Sequence, residues 1–66
     1  MTITQAVTFI LSRKPFISEA LKDKIINYAA LADYLKPEIE HLLGKNIKSG
    51  AIVMALRRYE SFKNPL

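Results

Sequence analysis

An all-α fold follows from three observations. The 66-residue chain contains only two glycines and three prolines, too little punctuation for a small all-β domain with its frequent tight turns. Alanine, leucine, lysine, glutamate and isoleucine dominate, which favours helix. Apolar residues also recur at helical spacing in one segment after another. The expected architecture is a small bundle of four to five short helices, one helical domain over residues 1–66.

The first helix is expected from Thr2 or Thr4, either of which suits the N-cap, to Arg13. Ile3, Val7, Ile10 and Leu11 fall at i, i+4, i+7 and i+8, one stripe. Val7, Thr8, Phe9 and Ile10 lean towards β structure and work against that assignment. Lys14 precedes Pro15 and is pushed out of the α region, which ends the helix. Pro15 then opens a second helix of two to three turns, because its missing N–H is harmless in a first turn. Phe16, Ile17, Ala20 and Leu21 form the expected buried face, with Ile25 closing it and the helix ending near Lys24.

Asn27 reads as the N-cap of the third helix. Tyr28, Leu31, Ala32, Leu35, Ile39, Leu42 and Leu43 make an unbroken stripe after it. Pro37 lies within that stripe and removes one backbone bond. The helix either continues with a kink at Lys36–Pro37 or stops and restarts with Glu38 and Glu40 in its new first turn. Gly44 is placed as a left-handed cap. Ile47 anchors the following connection, and Ser49 suits the N-cap of a last helix from Gly50 to about Phe62. There Ile52, Ala55, Leu56 and Tyr59 are expected to face inward. Phe9 and Tyr28 are expected at the core or its edge, and Tyr34 outside.

Composition bounds function. There are no cysteines, so disulfides and thiolate metal sites are excluded. A chain this short buries only about 60% of its extended surface, so it must rest on its apolar core, on a partner, or on both. Nothing approaches the roughly 20 apolar residues of a membrane span, and the first residues lack the basic start of a signal peptide. A cytoplasmic protein without membrane contact is expected. Residues 1–43 carry five cations and five anions. Residues 44–66 carry Lys45, Lys48, Arg57, Arg58 and Lys63 against Glu60, a net +4 that equals the charge of the whole chain. Such lopsidedness attracts polyanions.

No catalytic constellation is legible. His41 is the one histidine and is expected to face solvent. Glu38 and Glu40 point in different directions on a helix. No serine has a base nearby, and residues 44–50 lack a phosphate-loop pattern. Neither an enzyme, a metal, a cofactor nor a small-molecule substrate is expected.

Asn27-Tyr28-Ala29-Ala30-Leu31-Ala32 together with Lys48-Ser49-Gly50-Ala51-Ile52-Val53-Met54-Ala55-Leu56-Arg57-Arg58 resembles the two helices of a helix-turn-helix. It is similar also to the tri-helical, winged-helix-like N-terminal domains of small prokaryotic regulatory proteins, some of which carry a ligand-binding ACT-type domain. The resemblance implies a DNA-binding role in transcription regulation, with the last helix in the recognition position. Two departures stand out. Residues 36–48 extend the usual three- or four-residue turn, and nothing after Phe62 supplies a β-wing, so the resemblance implies a wingless form or one piece of a longer protein.

Lys45, Lys48, Arg57, Arg58 and Lys63 are the candidate phosphate contacts, with Ser49 and Met54 nearest any bases. Gly50, Ala51, Val53 and Met54 offer few hydrogen bonds to base edges, so weak sequence specificity and strong salt dependence are expected. Two other readings of the same residues stay open. Arginines near a helix C-terminus complement its dipole and need no partner. Alternatively Ala51, Val53 and Met54 form the apolar centre of a protein interface or homodimer contact.

Overall fold

The computed structural model describes the backbone of residues 1–63 and the side chains of residues 1–59. Four α-helices occur there: α1 (Ile3–Ser12), α2 (Pro15–Lys22), α3 (Tyr28–Leu43) and α4 (Ser49–Lys63), with no strand among the described residues. The Cα radius of gyration is 10.9 Å, against about 11 Å for a globule of this length. Helix α4 packs against both α1 and α3, whereas α2 rests mainly on α1.

Thr2 rather than Thr4 caps α1. Its hydroxyl accepts from the Gln5 N–H at 3.0 Å, and the Gln5 side chain accepts from the Thr2 N–H at 2.8 Å. This reciprocal box satisfies two end groups and offsets the β-leaning run that follows. Ala6, Val7, Ile10 and Leu11 are buried. Phe9, expected at the core or its edge, is 44% exposed. It lies beyond the stripe, and the Arg13 guanidinium sits over its ring at 5.7 Å.

Lys14 takes φ −135°, outside the α region, and Pro15 occupies the first turn of α2. The helix ends at Lys22, not Lys24, because Lys24 adopts a left-handed φ of 59°. The Lys24 N–H then donates to the Leu21 carbonyl and the Ile25 N–H to the Ala20 carbonyl, both at 3.1 Å. That pair is a Schellman cap. It swings Ile25 off the helical register and leaves it 77% exposed instead of closing the buried face. Phe16 is 70% exposed, because a two-turn helix with one main neighbour buries only the narrow stripe of Ile17 and Leu21.

Helix α3 is a single helix through Pro37, so no restart occurs. The Asn27 side chain accepts from the Ala30 N–H at 3.0 Å, and Gly44 closes the helix with φ 71°. Leu31, Ala32, Leu35 and Ile39 are buried, with Tyr28, Leu42 and Leu43 half-buried against the core. Residues 44–48 fold back along α3. The Ile47 side chain is buried, and its N–H donates to Glu40 Oε2 at 2.9 Å. Ile52, Ala55, Leu56 and Tyr59 form the inward face of α4, as their spacing predicts.

Candidate nucleic-acid interface

With the inward face fixed by those four residues, 100° per residue places Gly50, Met54 and Arg57 at the centre of the outward face. Met54 is 56% exposed, and Arg57 and Arg58 are exposed. The two arginines lean to opposite flanks. The Arg57 guanidinium lies over the Tyr28 ring, 5.5 Å from its centre, on the α3 side. Arg58 faces the start of α1. There it borders an open groove of about 410 Å³, to which Ile3, Ala51, Met54 and Ala55 give an apolar lining and Thr2 and Thr4 polar groups. Among the described residues no carboxylate pairs with either guanidinium.

The N-terminal end of α4 differs. Its helix begins at Ser49 itself, with the Lys48 carbonyl accepting from Ala51 and Ile52. The Ser49 hydroxyl donates to Asp33 Oδ1 at 2.8 Å. Ser49 therefore does not act as the N-cap its position suggests, and its hydroxyl is turned to α3. Asp33 beside Ser49 and Glu40 beside Ile47 bring two carboxylates to the positive end of the α4 dipole. Lys45 and Lys48 are exposed in this same connection. Lys48 lies nine residues before Arg57, about 14 Å along the axis.

The proposed contacts thus fall into two groups, and the structure brings only some of them together. Met54 and Arg58 share one groove, Arg57 stands on the adjoining flank, and Lys45 and Lys48 lie apart in the connection before α4. Ala51 and Met54 meet in the groove, whereas Val53 lies on the other flank, half-buried against the core. The side chain of Lys63 lies outside the described residues, as does that of Ser61. Sequence reasoning missed Asp33, Glu40 and the aromatic partner of Arg57. Tyr28 sits 29 residues from Arg57 in the chain, and no local spacing links them.

His41 is exposed on α3. Among the described residues, no three His, Cys, Asp or Glu side chains gather as a metal site would require, and no helix is long and apolar enough to cross a membrane. Comparison with family models, with curated proteins and with solved structures finds no match to this chain.

Proposed function

We propose that this chain is a non-catalytic, cytoplasmic regulatory module that contacts duplex nucleic acid through α4. In this reading α3 and α4 play the part of a helix-turn-helix, with residues 44–48 as the turn. One observation carries it: Arg57 and Arg58 stand exposed without a carboxylate partner among the described residues, in the section that holds the whole net charge. Unpaired, solvated guanidinium groups are strong phosphate ligands. Binding is weakly sequence-specific, because Asp33 holds the Ser49 hydroxyl and the next residues, Gly50 and Ala51, offer no side-chain donor.

An anisotropy titration of a labelled duplex at low salt tests this. The wild type binds at micromolar protein, and R57A/R58A lowers the salt slope by about 2, one per lost phosphate contact. No binding by the wild type, or an unchanged slope in the double variant, contradicts the proposal.

The groove beside Met54 favours a second reading, in which its apolar lining receives another protein or a second copy of this chain. Sedimentation equilibrium separates the cases: self-association that Met54→Glu abolishes supports it, and a strict monomer at high concentration removes the second-copy form.

A further inference from the structure

Arg57 and Arg58 are adjacent, equally charged and both exposed, yet their surroundings differ. The Arg57 guanidinium lies over the Tyr28 ring at 5.5 Å from its centre. Arg58 borders the groove, with no aromatic ring over or under its guanidinium among the described residues. Tyr28 is itself held firmly. It is the first residue of α3, directly after the Asn27 cap, and is half-buried against the core. An arginine loses much of its rotamer freedom when it is immobilised. A guanidinium already resting on an aromatic face has lost part of that freedom before any ligand arrives, and its N–H donors stay available at the edge of the plane.

We infer that Tyr28 is a positioning residue for Arg57: its ring holds the guanidinium in place in the free protein, ready for a backbone phosphate. This rests on the nucleic-acid reading of α4 and assigns the two arginines unequal parts. Arg57 is the preorganised contact, and Arg58 is ordered only on binding. The role needs the aromatic face and not the phenol hydroxyl, so phenylalanine replaces Tyr28 in it. It needs a planar guanidinium as well as a charge, so lysine does not replace Arg57.

A double-mutant cycle on the full chain, read by duplex anisotropy at low salt, tests the assignment. Tyr28→Leu weakens binding about two- to fivefold, the range of an exposed cation–π contact, and Tyr28→Phe restores wild-type affinity. In the Arg57→Ala background Tyr28→Leu has no further effect, whereas in the Arg58→Ala background it keeps its full effect. Arg57→Lys leaves the core untouched and reproduces the loss even where Tyr28→Leu fails to fold; Arg58→Lys is near neutral. Equal affinity of Arg57→Lys and wild type overturns the inference, as does a Tyr28→Leu loss of the same size with and without Arg57. Both outcomes leave the nucleic-acid reading standing. A wild type that binds no duplex overturns that reading first, and this inference with it.

Discussion

Lys24 carries the clearest local conflict in the chain. It is the one non-glycine residue with positive φ among those described, at 59°. A Cβ in that region costs roughly 1 kcal/mol, and the two Schellman bonds of α2 depend on it. Lys24→Gly is therefore expected to raise stability by up to about 1 kcal/mol in urea denaturation, less the added freedom of the unfolded chain. Gly44 is the mirror case. Its φ is 71°, and a Cβ there would meet no atom within 4 Å. Gly44→Ala is expected to destabilise by about 1 kcal/mol through backbone strain alone, and a loss of several kcal/mol would reveal a contact this geometry excludes. Ser18 lies 3.3 Å from the Leu11 carbonyl and 2.9 Å from the Tyr59 hydroxyl. A serine has one proton to give, so when it donates to Leu11 it accepts from Tyr59. Ser18→Ala is expected to lose about 1 kcal/mol, and proton exchange in α2 would rise more than in α3. Gly44 was legible from sequence because glycine after an apolar stripe is a specific signal. Lys24 was not, since nothing about a lysine announces a left-handed backbone.

At the level of elements, legibility followed periodicity. The stripe of α3 can be read because it repeats over about four turns, Tyr28 to Leu43, and that of α4 because Ile52, Ala55, Leu56 and Tyr59 lie on one arc. Pro37 does not break α3, since the apolar face on both sides of it packs into one core. Helix α2 was read less well. Two turns give too few repeats to separate Phe16, which is exposed, from Ile17, which is buried. The start of α4 is hidden in the sequence for another reason. The Ser49 hydroxyl had a tertiary acceptor, Asp33, sixteen residues away, and no local rule anticipates it. Helix α4 packs on both α1 and α3. Leu56 is fully buried within it, so Leu56→Ala is expected to cost about 2–5 kcal/mol. For so small a domain that approaches the whole stability, and circular dichroism would show a largely unfolded chain at room temperature. A cooperative fold with little loss would mean that the packing around α4 is looser than described.

For the molecule as a whole, charge and packing divide the surface into unlike regions. The connection before α4 carries Lys45 and Lys48, but Asp33 and Glu40 reach the same end through Ser49 and Ile47. The middle of α4 carries Arg57 and Arg58 with no such acids among the described residues. The charge total was plain in the sequence, whereas this division was not, because it depends on where α3 brings its carboxylates. Under the proposed function, phosphate binding is expected to fall more on the two arginines than on the lysines. The salt dependence of duplex binding measures this most directly, compared between the wild type, R57A/R58A and K45A/K48A. The account predicts a salt slope reduced by about 2 for the arginine pair and by much less for the lysine pair. A larger reduction for the lysines than for the arginines, or a wild type that leaves the duplex free at low salt, would contradict it.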